Sequence, residues 1–137
     1  MLDMEEREMM TLGGDLNGHV GENIDGFEGA HGGKGYGSRN EEGEMILEFA
    51  LAHGLVVMNT CFEKEVAKKV TYESGECKTV VDYVLIRQRD KNVVQDVKVI
   101  RNEPCIPQHK LMVCKFFPKE KEKGKKRVFL ASARYGS

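Results

Sequence analysis

A glycine-rich segment near the start of the chain, residues 18–37, most constrains the fold, because it contains eight glycines. Glycine loses more conformational freedom on folding than any other residue, so this segment favours neither a helix nor a strand. Long loops within compact domains are usually functional or disordered. The regular elements must therefore lie before and after a long loop.

Apolar patterns on either side of this loop predict one main helix and several strands. Asn40 followed by two glutamates is typical of a helix start, and apolar residues then recur at helical spacing until Gly54. We also expect the last turns of a short helix at residues 2–9. A hairpin turn is indicated at Ser74-Gly75. Strands are expected at residues 9–12, 55–59, 69–73, 78–87, 93–100 and 111–116, with a further short strand at 128–131.

This order of elements predicts an α/β (α+β) domain with a mixed, largely antiparallel sheet and one main helix. With 137 residues, of which 40% are hydrophobic, the chain can form one domain with a substantial core. We assign residues 1–117 to that domain. Residues 118–137 are interpreted as a charged tail, because lysine, arginine and glutamate dominate the run from 119 to 127.

Charge and cysteine usage narrow the function classes. The net charge is −1, so any binding to nucleic acid must depend on local patches. No apolar run approaches the length that spans a membrane, and the acidic N-terminus does not resemble a signal peptide. None of the four cysteines belongs to a C-x-x-C pair, which disfavours a zinc site. We expect reduced thiols and an intracellular location, with the nucleus as one candidate compartment.

Asp15 and Asn17 are the first candidates for chemistry. Residues two apart in an extended segment point to the same side, so both side chains could face one phosphate. Asp15 could position a water or bind a cation, and Asn17 could donate to a phosphate oxygen. The simpler interpretation is a turn made by Asp, Asn and Gly after a strand. For a short motif taken alone, this structural interpretation is more often correct than the functional one.

Asp82 and His109 are the second candidates. Asp82 lies within an apolar strand pattern, where a buried carboxylate needs a partner. Backbone amides or Arg87 would satisfy it in a structural role. Alternatively, Asp82 could hold the imidazole of His109, which follows a proline, and support its protonated form. We assign structural or surface roles to the remaining histidines, which are His19, His31 and His53.

Three motifs in order, Gly14-Asp15-Leu16-Asn17, Asp82-Tyr83-Val84-Leu85 and Gln108-His109, resemble the exonuclease–endonuclease–phosphatase superfamily. The closer resemblance is to the apurinic-type endonuclease domain of RTE-class retrotransposons and to the related craniofacial development protein 2-like proteins. It covers residues 10–117. It implies the C-terminal half of a four-layered β-sandwich, in which two similar halves pack their sheets face to face.

The resemblance implies a role for each matched residue. Asp15 would align the attacking water and Asn17 would contact the phosphate, and both would bind Mg²⁺ or Mn²⁺. Asp82 would orient His109, and His109 would contact the scissile phosphate. Three further residues are candidates for substrate binding: Lys34, Arg39 and Gln108.

Two departures from the superfamily bear on activity. Its members usually carry Asp immediately before the histidine, where this chain has Gln108. Their first half also carries the main metal-binding Glu, an Asn and a catalytic Tyr, and we expect this chain to lack that half. A lone half would expose an apolar sheet face. We therefore expect a homodimer, or another partner that covers this face.

Two functions from different classes follow from the resemblance. The first is a metal-dependent DNA endonuclease fold that is incomplete and weakly active or inactive alone. The alternative is a non-catalytic module, derived from a retrotransposon endonuclease, that binds nucleic acid or protein. A phosphatase or small phosphodiesterase of the same superfamily is a weaker third interpretation.

Overall fold

A computed structural model describes residues 10–100, 108–118 and 127–131, without the side chains of residues 108, 109 and 127–131. The helix predicted at residues 2–9 lies outside this part of the chain, as does most of the charged run. The regular elements are β1 (Thr11–Asp15), α1 (Glu41–Ala52), β2 (Leu55–Val57), β3 (Tyr72–Ser74), β4 (Cys77–Thr79), β5 (Asp82–Arg87), β6 (Val94–Ile100), β7 (Gln108–His109), β8 (Leu111–Phe116) and β9 (Arg127–Ala131).

The strands form three sheets of three strands each, in the orders β1–β5–β2, β4–β3–β7 and β6–β8–β9. Every strand pair that the structure describes is antiparallel. Together with the single main helix in the described residues, this arrangement confirms the predicted mixed α/β class. Among these residues, no helix has the length and apolar character needed to cross a membrane.

Strand β5 is the centre of the core, because it is buried on both faces. Tyr83 and Leu85 belong to a cluster with α1 and the glycine-rich loop. Val84 and Ile86 belong to a second cluster with residues of β6 and β8. Since successive side chains of a strand point to opposite faces, β5 lies between two apolar layers. A carboxylate at its first residue, Asp82, is therefore conspicuous.

The single strand predicted at residues 78–87 is wrong, because the chain changes sheet within it. Strand β4 ends and β5 begins with two residues between them. The Val81 N–H donates to the Thr71 hydroxyl at 2.9 Å, and the Val81 carbonyl accepts from the Leu16 N–H at 2.8 Å. These bonds remove Val81 from the sheet of β4 and make Asp82 the first residue of a new strand.

Strand β1 also differs from the prediction, which ended it before Gly13 and Gly14. The strand begins at Thr11 and continues through both glycines to Asp15. Gly14 has a φ of 138°, a conformation that residues with a Cβ rarely adopt. Pairing with β5 extends the strand, and its register places Asp15 opposite Asp82.

Helix α1 begins and ends as predicted. The Asn40 Oδ1 accepts from the Gly43 N–H at 2.8 Å and from the His19 N–H at 2.9 Å, so one side chain caps the helix and holds the loop. Gly43 allows this close approach, because a Cβ there would overlap the His19 carbonyl oxygen. Gly54, with a φ of 67°, provides the C-terminal stop.

The glycine-rich loop packs around a buried histidine. His31 is 1% exposed, and its Nδ1 accepts from the Gly33 N–H at 2.8 Å. Its Nε2 lies 2.8 Å from the Gly21 carbonyl oxygen and must therefore carry the proton. Burial lowers the pKa of His31; the bond to Gly21 opposes this effect, and the charge of Arg39 adds to it. The ring is thus neutral in the fold.

We predict that the fold loses stability as the pH falls through the ordinary histidine value of 6.5. A histidine whose pKa is lowered by folding stabilises the fold above its unfolded pKa, and this contribution disappears at lower pH. Chemical denaturation at neutral and mildly acidic pH would measure it. The variant His31→Gln should reduce the difference between the two conditions, whereas His53→Gln, at an exposed position, should not. Equal pH dependence in His31→Gln and the parent would contradict this role.

An apolar groove of about 530 Å³ lies between α1 and β1. Leu12 and Leu16 are each 41% exposed on its strand side, and Met45 is 64% exposed on its helix side. The helix instead buries Leu47 and Ala50 in the core. Exposed apolar surface of this kind is typical of protein–protein interfaces. It agrees with the expectation that a partner covers an apolar face, which stays a prediction.

We expect the parent chain to be a dimer in light scattering at micromolar concentration if a second copy covers this groove. Met45→Lys should then shift the chain towards monomer, because a charge would be buried at the interface. Glu48→Lys adds a lysine at an exposed position of the same helix that does not line the groove. A monomeric parent would contradict self-association through this groove.

Candidate functional site

Strand ends meet at one edge of the sheet β1–β5–β2. Strand β1 ends at Asp15 and the antiparallel β5 begins at Asp82, and these residues are direct register partners. Val57, the last residue of β2, pairs with Leu85, which brings the following Asn59 beside the start of β5. Directly opposed residues have Cβ atoms about 4.5–5.5 Å apart. The structure therefore brings the two predicted acids together.

Two polar side chains that the sequence analysis missed hold the backbone of Asp82. The Thr71 hydroxyl accepts from the Asp82 N–H at 3.2 Å, in addition to its bond with Val81. The Asn59 Nδ2 donates to the Asp82 carbonyl at 3.1 Å, and the Asn59 Oδ1 accepts from the Val84 N–H at 2.8 Å. These bonds position the peptide from which the buried carboxylate extends.

Strand β7 brings the backbone of His109 to the same region. His109 pairs with Tyr72, and the Lys110 N–H donates to the Thr71 carbonyl at 2.7 Å. Because Thr71 also binds the backbone of Asp82, the two residues are linked through one threonine. The side chain of His109 lies outside the described part of the structure, so its contact with Asp82 stays a prediction.

Asp15 and Asn17 form a turn and lie at the surface of this edge. The Asp15 Oδ1 accepts from the Asn17 N–H at 2.8 Å, as in an Asx turn. Among the described non-glycine residues, Asn17 has the positive φ, 52°. Asparagine tolerates this left-handed conformation better than most residues. The turn is therefore present in the structure. It keeps both exposed side chains at the sheet edge where β5 begins with Asp82.

Tyr83 attaches the glycine-rich loop to β5. Its hydroxyl lies 2.7 Å from the Gly18 carbonyl and 2.8 Å from the Val80 carbonyl, and it accepts from the Val20 N–H at 3.1 Å. Burial raises the pKa of Tyr83, and the negative charges of the two opposed acids act in the same direction. The hydroxyl therefore stays protonated and fixes the loop that follows the Asx turn.

Lys34 and Arg39 take part in contacts within the loop region. The Lys34 Nζ lies 3.2 Å from a carboxylate oxygen of Glu63. Arg39 donates to the Asn23 carbonyl at 2.9 Å, and its guanidinium lies 4.8 Å from the ring centroid of Phe27. None of these contacts links either residue to the acids. Their role in substrate binding stays a prediction.

The described residues offer oxygen donors to a cation without forming a complete metal site. Mg²⁺ and Mn²⁺ prefer carboxylate and carbonyl oxygens, which Asp15 and Asn17 carry. Within the described ranges, no group of three His, Cys, Asp or Glu side chains is placed to hold a metal ion. Gln108 pairs through its backbone with Glu73, and its side chain is not described. The predicted ion would need ligands beyond those described.

Fold and site define a mixed α/β protein in which two opposed carboxylates, an amide and a histidine-bearing strand meet at one sheet edge. The chain is homologous to part of craniofacial development protein 2. It is 33% identical to the protein of Bos taurus over 112 residues, or 80% of this chain, and 32% identical to that of Tragulus javanicus over 112 residues.

The chain spans about a fifth of these relatives, 18% and 19% of their respective lengths. No family model and no solved structure matches it. The predicted resemblance to craniofacial development protein 2-like proteins is thus confirmed over most of the chain. The link to the wider exonuclease–endonuclease–phosphatase superfamily stays a prediction.

We predict that Thr71→Val lowers the free energy of unfolding by about 1–3 kcal/mol, because it leaves two backbone N–H groups without their acceptor. Thr71 is fully buried, so water cannot replace the lost hydroxyl without a rearrangement. Thr71→Ser keeps the oxygen and should cost less. Urea denaturation of both variants would measure the difference, and equal losses would show that the hydroxyl does not hold β5.

Proposed function

We propose that the chain forms the acid and histidine side of a metal-dependent phosphodiester hydrolase that cuts DNA. The observation that carries this proposal is the register that places Asp15 opposite Asp82, with His109 joined to the same region through Thr71. Homology to craniofacial development protein 2 agrees with the resemblance that suggests these roles.

Each residue has a role that suits its chemistry. Asp15 orients the attacking water by accepting a hydrogen bond from it, and Asn17 donates from its side-chain amide to a phosphate oxygen. Asp82 favours the protonated form of His109, which donates to the developing negative charge on the phosphate. A bound Mg²⁺ or Mn²⁺ would neutralise further charge, with Asp15 and Asn17 among its ligands.

A second candidate is a non-catalytic module that binds nucleic acid or protein. The observation in its favour is the incomplete ligand set in the described residues. An ion that is held weakly would stabilise the transition state poorly and reduce catalysis severely. Formation of a homodimer would duplicate the four proposed catalytic residues without adding a ligand of another kind. With either function, a DNA partner would imply a nuclear location, which imaging of a tagged chain would test.

If the chain is active alone, we expect it to nick supercoiled plasmid, or plasmid with abasic sites, slowly in Mg²⁺ or Mn²⁺ and not in a chelator. Asp15→Asn and His109→Gln should each reduce the rate by about 10²–10⁴-fold, because each removes one acid–base or phosphate contact. Asp25→Asn is the matched control, since Asp25 is exposed in the glycine-rich loop and has none of the proposed catalytic roles.

The outcomes separate the candidates. Nicking that survives in both site variants would contradict the roles given to Asp15 and His109. No nicking by the parent, combined with DNA binding in the chelator, would support the non-catalytic module. Hydrolysis of a small phosphodiester without nicking would instead indicate the third interpretation, a phosphatase or small phosphodiesterase.

A further inference from the structure

Strand β7, which carries His109, is the shortest strand that the structure describes. It is two residues long, and its register partners are Tyr72 and Glu73 of β3. Strands in globular proteins usually have three to ten residues, so two register pairs hold β7 weakly. The position of His109 must therefore depend on contacts made by the residues beside it.

Lys110 lies where the chain passes from one sheet to another. It is the single residue between β7, in the sheet β4–β3–β7, and β8, in the sheet β6–β8–β9. Its N–H donates to the Thr71 carbonyl at 2.7 Å, which keeps its backbone next to the start of β3. Since Lys110 directly follows His109, a contact that fixes Lys110 also fixes the backbone of the histidine.

The side chain of Lys110 forms an ion pair with Glu73. The Lys110 Nζ donates to the Glu73 Oε2 at 2.9 Å, a distance typical of a charge-assisted hydrogen bond. The lysine side chain is only 12% exposed, and the glutamate side chain is 39% exposed. Ion pairs on an open surface contribute little, whereas a charge that is largely removed from water needs its partner. This pair therefore constrains the lysine more than a surface contact would.

The ion pair connects β3 with the residue just beyond β7. Glu73 lies in the central strand of its sheet and is the register partner of Gln108. Lys110 comes two residues after Gln108, so it is the diagonal neighbour of Glu73, within reach of a long side chain. The pair thus extends the short contact between β7 and β3 by one further link.

Three consecutive residues hold both the acid and the histidine-bearing strand. The first, Thr71, accepts from the Asp82 N–H at 3.2 Å. The second pairs with His109, and the third, Glu73, binds Lys110. Because these residues are joined covalently, the ion pair helps to fix the backbone of the histidine relative to that of the acid.

We propose that Glu73 and Lys110 are positioning residues, whose ion pair holds His109 where its imidazole meets Asp82. Glu73 has a second effect, because it neutralises the lysine next to the histidine. Without it, the ammonium of Lys110 would oppose protonation of the imidazole. This inference rests on the proposed function, which gives the contact between His109 and Asp82 its role in catalysis.

Titration of the histidine ring resonances of the full chain by NMR, in a chelator, tests the proposal without cleavage. The variant His109→Gln identifies the resonance of His109. In the parent, the negative charge of Asp82 should raise the pKa of His109 above the ordinary histidine value of about 6.5. Glu73→Gln and Lys110→Met should each lower this pKa, because a displaced imidazole loses its contact with the acid.

The two substitutions separate position from charge. Through charge alone, loss of Glu73 would lower the pKa of His109, and loss of Lys110 would raise it. A lower pKa in both variants therefore supports positioning. Shifts in opposite directions would overturn it, as would an unchanged pKa in both variants or a parent pKa of about 6.5.

The double exchange Glu73→Lys with Lys110→Glu rebuilds the pair with its charges reversed. It should restore most of the parent's pKa at His109, and circular dichroism would establish that each variant folds. If a single variant does not fold, the exchange decides. Restored folding with a raised pKa supports the proposal, and a folded exchange in which His109 titrates at about 6.5 overturns it.

The ion pair between Lys64 and Asp96 is the matched control. Its atoms lie 2.8 Å apart, its side chains are 22% and 21% exposed, and neither residue belongs to β3 or β7. Lys64→Met and Asp96→Asn should leave the pKa of His109 unchanged. A decrease as large as that in the Glu73 and Lys110 variants would indicate general loss of stability and would overturn the positioning role.

The outcomes for this inference and for the proposed function are separable. If the parent nicks DNA, Glu73→Gln and Lys110→Met should slow nicking by about 10²-fold, as misplacement of a catalytic group does. If the parent nicks DNA while both variants keep its rate and the pKa of His109, the hydrolase proposal stands and the positioning role fails. If the pKa falls as predicted in a chain whose parent does not nick, the positioning role stands and the hydrolase proposal fails.

Discussion

The hydrogen bonds that the Thr71 hydroxyl and the Asn59 amide make to the start of β5 support the rest of the structure. Asp82 is 1% exposed at the first residue of a strand buried on both faces, so its peptide groups need partners within the protein. Thr71 satisfies the N–H and Asn59 the carbonyl. Thr71 also accepts from Lys110, so the same residue connects β5 to the strand that carries His109.

The opposed acids are an arrangement that stability alone would not favour. Like charges directly opposite one another in an antiparallel pair are destabilising. Asp15 nevertheless faces Asp82 in register, and the neighbouring Asn17 adopts a left-handed backbone conformation. Locally unfavourable features concentrate at functional sites, where surrounding structure compensates for them. The Tyr83 hydroxyl fixes the loop that follows this turn.

The elements best predicted from sequence are those whose signals are local. Helix α1 carries its own cap at Asn40 and its own stop at Gly54, and β8 coincides with its apolar run at residues 111–116. Strand β1 and the break before β5 were not predictable in this way. Both depend on hydrogen bonds to distant residues. Strand β1 continues past its glycines because it pairs with β5. Strand β5 begins after Val81, whose N–H donates to the Thr71 hydroxyl and so leaves the sheet of β4.

The residues of the candidate site also divide into those with a local sequence signal and those without one. Asp15, Asn17 and His109 stand out as polar residues beside apolar runs, and Asp82 stands out as an acid within one. The structure brings their backbones to one region. Thr71 and Asn59 were missed for a physical reason. A side chain that bonds to a distant backbone group leaves no periodic signal, and threonine and asparagine are common in ordinary turns.

Which cations can meet a polyanion is likewise decided by tertiary structure. Arg39 has the same formal charge as Lys78, yet its guanidinium donates within the glycine-rich loop and lies over an aromatic ring. Lys78 lies in a short hairpin, and no described acid forms an ion pair with it. A chain with a net charge of −1 can thus pair some of its cations internally and still present a few that no described acid pairs with. Those few determine whether a phosphate backbone can approach the site.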